Sequence, residues 1–579
     1  MKKKLSIFCS IFLCLFFSNL NAQSGTDFWF APPDVTDLHN PPGGEPIYLL
    51  ISSFNQPATV TISQPANPGF TPITVNLAAN SSTRINLTPF KSQLETRPTN
   101  TVLNTGLRIQ STAKIQCYYE VSNTNNTDIF ALKGPNGLGK EFYIPLHKHA
   151  PFYNHTFSSP HLAIASFDIV ATQNNTQVTI YSPVPVDGYP ALQQFTITLN
   201  AGQTYSCGWT GANYTQPSTH PGGAVVISDK PIAITIKDDS DHNPSGGCYD
   251  LMGDQIVPVD ILGTEYIAVK GQLNNNGDES VIITAVQNNT KVYIDGNPVP
   301  VATLFAGELY RYDMDYLSGG PNNSVYIQTS KPVYCMHVTG FGCEMGEAIL
   351  PPLNCAGSSQ VSFVRSTSEA FYLTILVRSS AVNNFSIIGP GTATINPTSF
   401  QNVPGTGGLW KAAKIQYNTT EIPVDSTFLV TNSADVFALG IINGGATTGC
   451  RYGYFSEFAA KNVVDAGNDQ FVCANSVVTL NGSVQGGDTS GIWTTNGSGY
   501  FTPSNTSLNA TYVPSAADTT NGSIYIWLTS TGNCTPVKDS IKITFTPAPY
   551  VEAGSNILSC GTDTVQLNGI VGGPTLTGI

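Results

Sequence analysis

The sequence predicts an all-β protein: tandem β-sandwich-like units, followed by β-sandwich repeats of a second kind. Three observations carry this. Charged residues are only 11% of the 579, too few for coiled coils or long solvated helices. Hydrophobic residues reach 41% and aromatics 10%, enough for packed cores and against disorder. Short runs alternating with period two, rich in β-branched residues and bounded by Asn, Gly and Pro, recur along the chain, and such runs form strands. The net charge of −13 excludes a basic nucleic-acid-binding face.

The N-terminus comes first. Lys2, Lys3 and Lys4 precede an apolar run from Leu5 to Phe17, then Ser18 to Ala22. This pattern predicts a secretory signal peptide over 1–22, cleaved before Gln23. Cys9 follows Phe8 and Cys14 follows Leu13, so neither has the small preceding residue that a lipoprotein needs. No later run is long and apolar enough for a transmembrane helix. The expected location is extracellular or cell-surface, where disulfides persist.

Residues 23–460 hold four β-rich units, about 25–125, 126–245, 246–345 and 346–460. Each contains a recurring strand pair, read here as a hairpin: Ile227-Ser-Asp-Lys-Pro-Ile232, Ile327-Gln-Thr-Ser-Lys-Pro-Val333, and weaker copies around Ile115 and Val436. Upstream of these lie turn-plus-strand pieces, among them Asn174-Asn-Thr-Gln-Val178 and Asn288-Asn-Thr-Lys-Val292. Sandwiches fit units of this size; a fused all-β domain or a closed ring of sheets is the alternative.

A different repeat begins at Val464. Asp465-Ala-Gly467, Cys473 and Val478-Thr-Leu480-Asn-Gly482 return as Glu552-Ala-Gly554, Cys560 and Val565-Gln-Leu567-Asn-Gly569, always 87 residues on. The order Cys473, Trp493, Cys534 is immunoglobulin-like and predicts a Cys473–Cys534 disulfide worth about 4 kcal/mol. The unit covers 463–548, and 549–579 starts a second, truncated copy. That register predicts a longer protein with further repeats.

These residues resemble known families. Gly25-Thr-Asp-Phe-Trp29, the Ser-x-Lys-Pro pieces, Leu262-Gly-Thr-Glu-Tyr266 and Gly346-Glu-Ala-Ile-Leu-Pro-Pro352 are similar to the IgGFc-binding protein N-terminal domain family. That resemblance covers about three quarters of the chain. The 87-residue repeats resemble PKD-like or Ig-like arrays of secreted Bacteroidetes surface proteins. The resemblance implies a large extracellular protein of binding or adhesive character, with a C-terminal secretion or anchoring domain of the type IX kind. It transfers no binding residue, and antibody binding does not carry over.

The candidate chemistry is sparse. Gly134-Pro-Asn-Gly-Leu-Gly139-Lys140-Glu141 approaches a P-loop. However, Glu141 replaces the magnesium-binding hydroxyl, and a strand pattern follows where phosphate needs a helix N-terminus. A turn is expected instead. His147, His149, His155 and His161 cluster in a Pro-rich segment and read as solvated or locally bonded side chains rather than zinc ligands. Asp238, Asp239, Asp241, Asp250 and Asp254 crowd a Gly-rich stretch. They are weak calcium candidates without EF-hand spacing. No cofactor and no tightly bound metal are expected. Cys117 and Cys335 match the facing of core residues and read as candidate buried thiols, while Cys343 pairs with Cys355 across a Pro-Pro loop. No catalytic constellation emerges, so the chain reads as a non-enzymatic binding or adhesion protein for an unidentified extracellular protein or glycan ligand. Loop aromatics such as Trp209, Tyr214 and Tyr249 would serve as contacts. A structural matrix component and an extracellular hydrolase with accessory β-modules are the alternatives.

Overall fold

The computed structural model describes residues 24–573, apart from 39–45, 124, 149–151, 159–161, 244–246, 275–278, 315–322, 355, 459–462, 486–489 and 532–535. The signal-peptide segment therefore lies outside the described residues. Among the described residues the regular secondary structure is almost entirely strand, as the alternation predicts.

Each of the first three units is organised around one long strand: Leu107–Asn123, Val225–His242 and Ser324–Gly342. In unit one the first part of this strand pairs with Ala58–Ser63 and Ser24–Phe30, placing Ile62 and Phe28 on either side of Ile109. Its second part pairs with Ile47–Ser53 and Asn126–Ala131, placing Leu49 and Phe130 on either side of Tyr119. One strand thus serves two layers, and apolar side chains of both layers form one core. Units two and three repeat this topology. In unit four the corresponding strand is divided into Thr427–Asn432 and Phe437–Gly445, and the layers are separate sheets.

The recurring Ser-x-Lys-Pro piece is consequently not a hairpin. It is the corner at which the long strand leaves one layer for the other. The pairing register jumps there, from Ile227↔Glu141 to Ile232↔Gly139 and from Gln328↔Glu265 to Val333↔Gly263. Proline has no N–H to give to a ladder and sits where pairing is interrupted. Ser228 Oγ donates to the Lys230 carbonyl (2.7 Å) and Thr329 Oγ1 to that of Lys331 (2.7 Å), closing the bend. The lysine has its own partner. Lys230 Nζ donates to the Asn174 carbonyl and Lys331 Nζ to that of Asn288, both at 2.6 Å. The two repeated sequence pieces, corner and Asn-Asn-Thr turn, are therefore two halves of one contact.

After each long strand comes one more strand: Asn126–Ala131, Tyr249–Ile256, Glu344–Ile349 and Gly449–Tyr454. Each pairs with the strand before it and packs against two of the other three, so the four close a ring. Sandwich-like units and a closed ring therefore coexist. Each ring strand has a ladder on one edge only, and N–H groups on the other edge must be satisfied inside the protein. Two buried aspartates do this. Asp128 Oδ2 accepts from Gly253 N (3.3 Å) and Glu347 N (3.4 Å), and its Oδ1 accepts from Tyr452 N (3.1 Å). Asp254 accepts from Ala131 N (3.1 Å) and Ile349 N (3.2 Å), and Lys133 Nζ donates to both its oxygens at 2.9 and 2.8 Å.

The Leu-Gly-x-Glu pieces have a packing role. A Cβ on Gly139 would meet Pro258 at 2.2 Å, and one on Gly263 would meet Pro352 at 2.4 Å. The P-loop-like stretch ends in the strand Gly139–Tyr143.

Residues 463–546 form a separate unit of three small sheets around Trp493, which is fully buried and donates from Nε1 to the Ser507 carbonyl (3.0 Å). Beyond it, among the described residues, Tyr550–Glu552 pairs only with Ile570–Gly572, and Leu558 and Leu567 are exposed.

One cysteine expectation is corrected. Cys343 is bonded to Cys248, 95 residues earlier. Its expected partner Cys355 lies outside the described residues and has no claim on that sulfur. Cys473 is a free thiol beside Thr546, with which it is in parallel register. Its expected partner, Cys534, lies outside the described residues. Cys117, Cys207, Cys335 and Cys450 are buried thiols, and burial raises the pKa of each.

Candidate functional site: an aromatic face over a histidine–aspartate cluster

The site lies on unit two, where residues 152–157 run beside the end of the long strand. His155 N donates to the Ser240 carbonyl (2.9 Å) and His242 N to that of Tyr153 (2.9 Å). The segment alternates: Phe152 and Asn154 are buried, while Tyr153, His155 and Phe157 face outward.

The outward side chains meet the aromatic groups of the strand pair. Tyr153 stacks on His242 (centroids 4.4 Å apart) and His155 on Phe157 (4.5 Å). Tyr249 stands edge-on to His155 (4.5 Å) and packs against His242 (4.9 Å). The Tyr214 hydroxyl accepts from Phe157 N and donates to the Phe157 carbonyl, both at 3.0 Å. Tyr153 is 37% exposed in a chain that buries most of its rings. Burial foremost, and then Tyr153, push the Tyr249 hydroxyl up to about 12. Of the three expected loop aromatics, Tyr249 and Tyr214 join this face. Trp209 instead folds onto its own turn, donating from Nε1 to the Ala212 carbonyl (2.9 Å). Beside the face is a cleft of about 920 Å³ between Arg97 and Thr99 of unit one and Thr210 and Tyr214 of unit two.

The inward side chains meet a buried polar cluster. His147 Nε2 lies 2.8 Å from Asp241 Oδ2 and 3.2 Å from Asp238 Oδ2. His220 Nδ1 lies 3.1 Å from the same Asp238 oxygen, and its Nε2 is 2.8 Å from Asn154 Oδ1. Asn154 Nδ2 donates to Asp238 Oδ1 (2.6 Å) and to the Asp239 carbonyl (2.8 Å). Of the expected histidine group, only His147 is in this cluster. His155 belongs to the outer face, and His149 and His161 lie outside the described residues.

The five aspartates do not converge. Asp238 and Asp241 face the histidines. Asp239 accepts from Thr36 N (2.7 Å) and Asn126 Nδ2 (3.2 Å). Asp254 pairs with Lys133. Asp250 is held far above the usual carboxyl range by burial and then by Glu344. His220 and Asn154 carry no spacing signal in the sequence, because each comes from a different loop.

A sequence model described as IgGFc binding protein matches residues 127–433, more than half of the chain. The chain belongs to the IgGFc binding protein family. The matched stretch of this family member spans the aromatic face, the buried cluster and three of the four ring strands, and membership fits a non-catalytic binding or adhesion role. No curated protein matches the chain. Among solved structures it is similar to a tetra-tandem repeat from the extending region of a large adhesion protein (10% identity, 65% of this chain and 92% of that one, TM-score 0.13). It is also similar to the insect immune protein hemolin (10%, 65% and 97%, TM-score 0.15) and to the protocadherin gamma B2 extracellular cadherin domains 3–6 (8%, 57% and 87%, TM-score 0.14). At such scores these likenesses carry neither arrangement nor function. No helix among the described residues of this family member is long and apolar enough to cross a membrane.

Proposed function

We propose that this chain is an extracellular, non-catalytic binding protein that presents the Tyr153–His155–Phe157–His242–Tyr249 face to a protein ligand. The clustering of five aromatic rings at an accessible surface supports this reading. Rings of this kind give large contact area at small entropic cost, and interface hot spots are enriched in them. The Cys248–Cys343 disulfide, one residue from Tyr249, ties this edge to unit three, which suits an oxidising compartment and pre-organises the face.

The sequence resemblance by itself carries no antibody binding over, but the description of the matching family names the immunoglobulin G Fc fragment, which is therefore the first probe. Immobilised Fc should capture the folded chain, and the Tyr153→Ala/Tyr249→Ala double variant should bind at least about tenfold more weakly. Equal binding by that variant would remove the aromatic face from the mechanism. Absence of capture by the wild-type chain would reject the Fc ligand and favour a spacer role.

A further inference from the structure

We propose that His147, His220 and Asp238 form a structural zinc site beneath the aromatic face, with Asp241 supplying the second negative charge. Asn154 carries the argument first. Its Nδ2 donates to Asp238 Oδ1 and the Asp239 carbonyl, so its Oδ1 is the acceptor facing His220 Nε2. That nitrogen therefore bears the proton. The other nitrogen, Nδ1, also faces only acceptors, Asp238 Oδ2 at 3.1 Å and the His147 carbonyl at 3.2 Å. A nitrogen set among acceptors needs a cation there, either a second ring proton or a metal ion between the groups.

The second observation is Asp238 Oδ2 itself. It sits within 3.2 Å of two imidazole nitrogens, yet it is buried and accepts no well-aligned hydrogen bond. Ligands bound to one tetrahedral ion at about 2.0–2.1 Å lie about 3.3 Å from one another without pointing N–H groups at each other. The separations of 3.1 and 3.2 Å match that spacing. One nitrogen of each imidazole and one Asp238 oxygen lie within 4.8 Å of one another, and all three residues are buried. Charge agrees: Asp238 and Asp241 together balance a divalent ion, and neither makes an ion pair with lysine or arginine among the described residues. Two imidazoles and a carboxylate are a zinc donor set, whereas calcium takes oxygen ligands. The second shell is in place on one side, since Asn154 fixes the His220 tautomer as outer partners of metal-bound histidine do.

The test uses the full exported chain, equilibrated with zinc and dialysed, then analysed for metal. About one zinc per chain is expected, with X-ray absorption showing mixed imidazole and oxygen coordination. His220→Ala and Asp238→Asn should lose that zinc, while the outward-facing His155→Ala should retain it. Dipicolinate should lower the melting temperature of the wild-type chain. Should either variant fail to fold, the wild-type stoichiometry, coordination and chelator shift still decide the matter. Less than about a tenth of a zinc per chain would overturn the proposal and leave a protonated imidazole–carboxylate network. Full zinc retention by folded His220→Ala would equally overturn it.

Discussion

Asp128 Oδ1 accepts a hydrogen bond from Tyr452 N at 3.1 Å, across 324 residues of chain. This contact joins the first ring strand to the last. The other oxygen of the same carboxyl group holds Gly253 N and Glu347 N. One buried side chain thus touches the backbone of the other three ring strands.

Replacing Asp128 with Ala would bury three N–H groups without acceptors. Each such orphan costs about 1–3 kcal/mol. Asp128→Ala should therefore destabilise residues 24–458 by about 3 kcal/mol or more, seen as a lower urea midpoint. An unchanged midpoint would show that the ring does not depend on this carboxyl group.

The Cys248–Cys343 bond closes a long loop between units two and three. In the chain-entropy model such a loop is worth about 4–5 kcal/mol. Reduction, or Cys343→Ala, should lower the melting temperature, and peptide mapping should recover the Cys248–Cys343 pair. Recovery of Cys343 joined to Cys355 would refute the assignment.

Stability should fall as pH rises from mildly acidic to mildly alkaline. Burial, and then Asp34, push Glu95 up to about 8, against Lys91, Arg97 and Lys237. Burial pushes Glu457 up to about 7, against the Asn136 hydrogen bond and Lys114. Both folded-state values exceed the ordinary 4.5. The protonated forms therefore favour folding, and this contribution is present in acid and lost as pH climbs from 4.5 through 7–8. Urea midpoints should be higher at pH 5 than at pH 8.5, and Glu95→Gln should flatten the slope. A midpoint that rises over this interval in both proteins would contradict the assignment.

Trp493 fills the core of the unit over 463–546, its ring 2.5 Å from where a Cβ on Gly482 would stand. Trp493→Ala should cost that unit about 3–5 kcal/mol. Gly482→Ala should destabilise it through overpacking. Differential scanning calorimetry of the full chain should show one transition moving in both variants while the other stays.

Much of the fold was legible in the sequence because period-two alternation and turn residues act over a few positions. The strands, the buried thiols Cys117 and Cys335 and the turn at Gly134–Lys140 follow from such local constraints. The Lys-Pro corner was misread as a hairpin because a bend between layers and a reversal use the same turn chemistry. The partnerships that matter for function were decided only in three dimensions. Asp128 meets Tyr452, Cys248 meets Cys343 rather than Cys355, and His147 meets His220, because ring closure brings distant segments together. A carboxyl group, thiol or imidazole looks the same in sequence whether solvated or paired. Its role depends on which distant polar group shares its burial, and only tertiary packing supplies that neighbour.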